Sequence, residues 1–474
     1  MDLFLNYAQG MIPELILISG LCLTIIGISF STKNENFVSY SASVLTFLAV
    51  VMSLLIGDFS PNVNLINTVQ TSDSMLSVKF IATLLMLALT MQSRFALSNY
   101  KHKKGEFYLF LQISLLGIFI MSSSANLLIF YLGLELVALS LYTLVGFDRS
   151  SSKAAEASMK FYVLGAIASG FLLYGISLVY GATGSIVFSR VFDMTSSQEI
   201  SMLMIIGMMF ILIAILFKFG AFPLFHWVPD AYEGGMLPVS LLLASLSKVA
   251  SFIFFFVLLH TVFGNLNEYW SPIMMTLGVL SVIYGNVVAL KQSNLRRLIG
   301  YSTIGHVGFI IVALSLASGN GVGEAWLYTV VYAIMSFALF GILISLSSHN
   351  YDIHTFVDLK GLYQSSPLHA WLILIVIFSM AGIPPLLGFH AKLLILQELI
   401  INDYLSVAII LVIASLIAAY YYLKVIWFVF FEGSNHTLKI RQSASDFIPI
   451  LACLILVLIG IFPAIFIDLM LQIL

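Results

Sequence analysis

The chain has 474 residues, 61% of them hydrophobic and 9% charged, and a mean hydropathy of +1.06. This composition excludes a soluble protein and overrides the three domains that length alone would suggest, leaving one polytopic domain in a lipid bilayer. The net charge of −2 gives no nucleic-acid signal, and the two cysteines, Cys22 and Cys453, lie in apolar runs without CxxC or metal-ligand spacing.

A helix that crosses the hydrocarbon needs about 20 apolar residues. In chain order, such runs fall near 11–30, 37–57, 75–98, 106–122, 125–147, 156–180, 200–222, 237–260, 271–290, 297–317, 323–347, 368–400, 403–430 and 447–472, fourteen in all. The opening MDLFLNYAQG has no basic segment and the first arginine is Arg94, which predicts a retained first span and no cleaved leader.

Loop charge sets the orientation. With the N-terminus outside, the inward loops carry Lys33, Lys101, Lys103, Lys104, Arg149, Lys153, Lys291, Arg296, Arg297, Lys360, Lys439 and Arg441, whereas the outward segments carry only Arg190. Twelve to one supports both the count and the sidedness, because a missed span would scramble the alternation. Both termini are expected outside.

Two runs are interrupted. The seventh continues as KFGAFPLFHWVPDAYEGG, with Pro223 and Pro229, and the twelfth contains MAGIPPLLGFHAK, with Pro384 and Pro385. Proline removes a backbone donor, and broken helices at membrane depth are tolerated where they line a cavity or pack in protein. The breaks lie five spans apart, and an odd-numbered repeat inverts its own orientation. The expected fold is therefore all-α: a polytopic bundle of about 14 transmembrane helices with two inverted five-helix repeats, each containing a broken helix. Residues 1–104 form an N-terminal three-helix segment, 105–262 the first repeat, 263–432 the second, and 433–474 a final helix.

Charged groups inside apolar runs carry the functional signal. Each costs roughly 2.5–3.5 kcal/mol at the bilayer centre on insertion scales. Glu135 lies within NLLIFYLGLELVALSLYTLVGF, too deep to reach either interface; the plain alternative is a structural carboxylate paired with a lysine. Lys218 and Lys248 are buried amines that a nearby carboxylate would tune for proton loading and release, or else helix glue through backbone bonds. Lys392 follows the second break. His306, in YSTIGHVGF, is mid-span, and histidine is the side chain whose intrinsic pKa is near neutral, although a satisfied core histidine reads the same way. Lys160 sits about a turn inside its span, where snorkelling to the interface competes with a polar-path role. Lys79 and Lys424 lie near span ends and are expected to snorkel, and His226 and His390 read as ordinary break-lining residues. Glycine-rich stretches such as LLYGISLVYGATG contain no GxxxxGK[ST] and read as close helix packing.

Five stretches carry a resemblance: LLIFYLGLELVALSLYTLVGF, EASMKFYVLGAIASGFLLYGISLVYGATGS, KFGAFPLFHWVPDAYEGGMLPV, NLRRLIGYSTIGHVGF and MAGIPPLLGFHAK. Together they resemble the antiporter-like subunits of respiratory complex I, over nearly the whole chain. Within that family the chain is most similar to the subunit N branch, through W-x-PD-x-YEG (Trp227, Pro229, Asp230, Tyr232, Glu233, Gly234) and GF-x-x-K (Gly388, Phe389, Lys392). It departs from the family at MLPV, where a Pro-Thr pair is common, and it lacks the long lateral helix of subunit L.

The resemblance implies a proton-translocating membrane-arm subunit of an NADH:quinone oxidoreductase. Glu135 would modulate the first-repeat lysine Lys218, Lys248 would be the connecting lysine and Lys392 the terminal one, with His306 and Lys160 on the same polar axis. It also implies that NADH, flavin, iron–sulfur clusters and quinone belong to partner subunits, with none in this chain, and that subunits M, K and J are the neighbours. A subunit of a multisubunit Na+/H+ antiporter or of a membrane-bound hydrogenase shares this fold, but the YEG and GF-x-x-K features weigh against it. A free-standing secondary transporter that binds a solute at the broken helices is a rival from another class. A scaffold without transport is a third, and it leaves the buried lysines unexplained.

Overall fold

The structure, a computed structural model, describes residues 10–30, 35–57, 68–70, 72–97, 105–196, 200–316, 319–347, 353–433 and 446–472. Lys33, Lys101, Lys103, Lys104, Lys439 and Arg441, which carry part of the loop-charge argument, lie outside these residues.

The described chain is helical throughout. Three helices open it, α1 (Ile12–Phe30), α2 (Glu35–Ile56) and α3 (Asp73–Leu97). Then come α4 (Gly105–Ser122), α5 (Leu127–Val145), α6 (Ser152–Thr183), the short α7 (Phe188–Thr195), α8 (Met202–Phe219), α9 (Trp227–Gly234), α10 (Leu237–Ala244) and α11 (Leu246–Phe255). The second half holds α12 (Asn267–Ala289), α13 (Leu295–Ser315), α14 (Gly319–Leu346), the single turn α15 (Leu362–Ser365), α16 (Pro367–Ala381), α17 (Leu387–Ile401) and α18 (Leu405–Phe430). It ends with α19 (Phe447–Ile461) and α20 (Pro463–Gln472).

Among the described residues, twelve helices are long and apolar enough to cross a membrane, or 13 if α19 and α20, bent by 97° at Phe462, form one span. The sequence contains fourteen apolar runs. The difference lies at 368–400, which is divided into α16 and α17. Each has 15 residues and so reaches only about 22 Å, short of a hydrocarbon core of about 30 Å.

Local sequence explains the boundaries. Asn126, Ser151, Ser201 and Asn294 accept first-turn backbone N–H groups at the starts of α5, α6, α8 and α13. At the two breaks a glycine with positive φ ends the helix: Gly220 (φ 70°) after α8 and Gly382 (φ 85°) after α16. Pro223 and the Pro384–Pro385 pair then prevent immediate resumption.

Glycines set the tightest crossings. A Cβ on Gly117 would sit 2.7 Å from the Gly133 carbonyl, one on Gly175 2.7 Å from that of Gly207, and one on Gly308 2.6 Å from that of Gly278. These contacts bring α4 against α5, α6 against α8 and α12 against α13. The spans 237–262, α13 and α14 are almost wholly enclosed, whereas α1, α2 and α18 expose broad rows such as Leu23, Leu45 and Leu416 that suit lipid.

Two extended bridges fasten loops to helix starts. Asn126, capping α5, pairs with Val187, and Asn294, capping α13, pairs with Thr355. Both ends shift by the same 168 residues, from 126 to 294 and from 187 to 355.

Candidate proton-transfer site

The first break creates orphan carbonyls, and lysine satisfies them. The last carbonyls of a helix have no intrahelical partner and sit at the negative end of its dipole. Lys248, fully buried in the first turn of α11, donates from Nζ to the Phe219 carbonyl at 2.8 Å and lies 5.5 Å from the Trp227 ring centre. Ser251, one turn on, donates to the Lys218 carbonyl at 3.0 Å. The second break repeats this chemistry. Lys392, in α17, donates to the Met380 and Ala381 carbonyls at 2.9 and 3.0 Å and lies 5.7 Å from the Phe309 ring centre.

Lys218 occupies the last turn of α8. Its Nζ approaches the Tyr142 hydroxyl at 3.4 Å and the face of the Tyr142 ring at 5.7 Å. A cavity of about 30 Å³ adjoins it, lined by Tyr142, Phe161, Trp227, Ser247 and Ser251 among others. That is room for a water molecule. Glu135 lies two turns before Tyr142 on α5 and accepts a short hydrogen bond from Ser169 of α6. Glu135 and Lys218 make no ion pair within 4.0 Å, and Tyr142, on the helix of Glu135, is the residue in contact with the amine.

His306 is enclosed in a hydroxyl network. Its Nδ1 pairs with Tyr328 at 2.8 Å and its Nε2 with Tyr422 at 3.0 Å, so both ring nitrogens are satisfied. Tyr422 also forms a short hydrogen bond with Ser302, Tyr421 donates to Asn286 at 2.9 Å, and Thr303 pairs with Tyr332 at 2.7 Å and with Tyr232 at 3.4 Å. This network joins α9, α12, α13, α14 and α18.

Lys160 is placed apart from these groups. Its side chain is half exposed and bonds Glu156 at 2.8 Å and Asp230 at 3.0 Å, at the rim of a charged cleft. There Arg297 bridges Asp230 at 2.7 Å and Glu233 at 3.0 Å, and Lys153 holds Glu233 at 3.1 Å. The cluster ties α6, α9 and α13 together. Burial raises the Asp230 and Glu233 carboxyls, but Arg297, with Lys160 on Asp230 and Lys153 on Glu233, holds both below the usual carboxylate range.

One expectation is corrected. Lys79 does not snorkel: it is 1% exposed, pairs with Glu14 at 2.5 Å, and lies over the Phe119 ring. Ser123 donates to the same Glu14 oxygen at 3.1 Å, and Glu14 and Glu135 line one pocket of about 550 Å³. Glu14 carries the same signal as Glu135, an acid inside an apolar run. The buried tyrosines carry only a weak one, since tyrosine is common in apolar spans. His390 bonds the Gly460 carbonyl at 2.9 Å, and His226 stacks on Phe225.

Among the described residues no group of His, Cys, Asp or Glu is gathered to hold a metal ion.

Residues 123–418 match the family described as NADH:quinone oxidoreductase/Mrp antiporter, TM. The chain is 36% identical to the NADH-quinone oxidoreductase subunit N of Ruthia magnifica, over 95% of each chain. It is also 36% identical to that of Nitrosomonas europaea, over 98% of this chain and 97% of the relative. Among solved structures it is similar to a chain of respiratory complex I from Thermus thermophilus, with a TM-score of 0.80 and 26% identity over 96% of this chain and 98% of the other. A chain of an Mrp complex from Dietzia, at 17% identity over 99% of this chain and 97% of the other, shares the fold with a TM-score of 0.81.

Proposed function

Since the chain belongs to the subunit N family of NADH-quinone oxidoreductase, we propose that it serves as that complex's membrane-arm proton carrier through Glu135, Lys218, Lys248, His306 and Lys392. Subunit N is part of a proton-translocating oxidoreductase, and that is the function assigned to this multi-pass membrane protein. The observation that carries the residue assignment is the seating of Lys248 and Lys392 on the orphan carbonyls of two broken helices. There an ammonium is held by dipoles rather than by a permanent counter-ion, so it can lose its proton without leaving a bare carboxylate behind.

A change of charge near Glu135, arriving from the quinone-reducing end, would alter how readily Lys218 holds its proton. A unit charge at about 6 Å and an effective dielectric near 20 is worth roughly 3 kcal/mol, or about two pKa units. Tyr142 and the adjoining cavity offer the local contact for that coupling. Protons then pass by way of Lys248 and the His306 network toward Lys392. Lys160 belongs to the inward rim of this path, where it meets Glu156 and Asp230 in the charged cleft.

We read 105–262 and 263–432 as the inverted five-helix repeats, after the three-helix segment 1–104 and before the final helix 433–474. The equal spacing of the two bridges and the glycine-tight α4–α5 and α12–α13 pairs support this. Subunits M, K and J are the proposed neighbours, with NADH, flavin, iron–sulfur clusters and quinone held by partner subunits. The proposed location is the bacterial inner membrane with both termini outside. Purification through a tag on this chain in mild detergent tests the assembly. NADH:quinone activity should co-purify with those subunits, whereas isolation of the chain alone with solute-uptake activity would favour a free-standing transporter.

A further inference from the structure

Two carboxyls lie beyond Lys392, at one end of the second half. Glu324 is in the second turn of α14, and Glu398 is in the last turn of α17. The two helices pack together, and the side chains are buried, Glu324 at 6% and Glu398 at 4% exposure. The Glu324 Oε2 is enclosed without a hydrogen-bond partner. The Glu398 Oε1 accepts from Asn402 at 3.1 Å, on the helix packed against that of Glu324.

Both are linked to the polar path. Glu398 is six residues after Lys392 on one helix, about 9 Å along its axis. Tyr328, which bonds His306 at 2.8 Å, is four residues after Glu324 and so on the same helix face. With the N-terminus outside, α14 begins and α17 ends at the outer face, which puts the pair between Lys392 and outside water. The enclosed, unpartnered Oε2 makes an ionised Glu324 costly, and a second carboxyl on the packed neighbouring helix adds repulsion, so the two acids together are better served by one shared proton than by two charges.

We propose that Glu324 and Glu398 form the outward proton-release pair of this subunit. This rests on Lys392 being a proton carrier. In the step, an N–H bond of the Lys392 ammonium breaks and an O–H bond forms on the ionised member of the pair, leaving a neutral amine and a fully protonated pair. Loss of one proton to the outer water restores the shared-proton state.

The test uses the intact complex in sealed membrane vesicles, measuring NADH-driven proton translocation in Glu324→Gln, Glu398→Gln, the double variant, Glu324→Asp and Lys392→Ala. Each glutamine variant should lose translocation severalfold, the double should be no worse than the poorer single, and the aspartate should recover most of the loss. Normal translocation in both glutamine variants, or losses that simply multiply, overturns the pair. If Lys392→Ala fails while the glutamine variants pump normally, only the release pair is wrong; if Lys392→Ala also pumps normally, the underlying axis is wrong. Should a glutamine variant fail to assemble, the wild-type complex is treated with dicyclohexylcarbodiimide, which adds to protonated buried carboxyls, and analysed by mass spectrometry. An adduct on Glu324 or Glu398 that tracks loss of translocation supports the pair, and absence of adduct at both overturns it.

Discussion

Lys248 donates to the Phe219 carbonyl at 2.8 Å, so an amine from one span closes the open end of the broken span before it. Lys392 does the same for α16 from within its own broken span. The helix breaks and the buried lysines are thus one feature: proline and positive-φ glycine free the carbonyls, and the lysines occupy them.

Gly382 tests that coupling. Its φ of 85° disfavours any side chain, and an added Cβ would lie 3.0 Å from the Lys392 stem. Gly382→Ala should destabilise the break by about 1–2 kcal/mol and displace the amine. NADH-driven proton translocation in the assembled complex should fall severalfold; wild-type translocation would show that the seating of Lys392 does not matter.

Glu135→Gln keeps the shape and the Ser169 contact but removes the charge. Coupled NADH:quinone activity and translocation should both drop severalfold, with Glu135→Asp milder. Ser169→Ala removes one hydrogen bond to the carboxylate, worth about 1.5–3 kcal/mol, and should weaken activity less than Glu135→Gln. Unchanged pumping in Glu135→Gln would take this residue out of the path.

Arg297 clamps α13 to α9 through Asp230 and Glu233. Both carboxyls are held below the usual range, so their contribution is present above the unfolded carboxylate value near pH 4 and is lost as pH falls through the lower folded values. The thermal midpoint of the purified complex should stay level from neutral pH down to that range and fall below it. Arg297→Gln should cost about 1.5–3 kcal/mol and start the acid decline at higher pH. An unchanged midpoint and pH profile would mean the clamp contributes nothing.

Orientation is checked by cysteine labelling in a background lacking Cys22. A cysteine placed at 101 should resist a membrane-impermeant maleimide from outside and react in inverted vesicles. Labelling from outside would reverse the sidedness and, with it, the outward assignment of Glu324 and Glu398.

The spans and both breaks are legible in the sequence because hydrophobic run length and proline–glycine punctuation act locally. Lys218, Lys248 and Lys392 are legible for the same reason, since a charge in an apolar run stands out without knowledge of its neighbours. Their partners are not. Phe219, Met380 and Ala381 contribute backbone carbonyls, which no side chain announces. The Tyr328–His306–Tyr422 network joins two consecutive helices to a third more than a hundred residues on, so its tyrosines read as ordinary apolar-span residues. Lys79 misleads because its nearness to a span end suggests snorkelling, while its partner Glu14 lies 65 residues away. The division of 368–400 into two short helices also shows that an apolar run long enough to cross can be spent on a break.

The most direct measurement is NADH-driven proton translocation by the assembled complex carrying Lys248→Ala, in sealed vesicles, alongside Lys248→Arg. Alanine should reduce translocation and coupled quinone reduction severalfold while NADH oxidation by an artificial acceptor stays normal, and arginine should rescue poorly because it does not deprotonate in a protein. Full translocation by the alanine variant would contradict a proton path through the buried lysines.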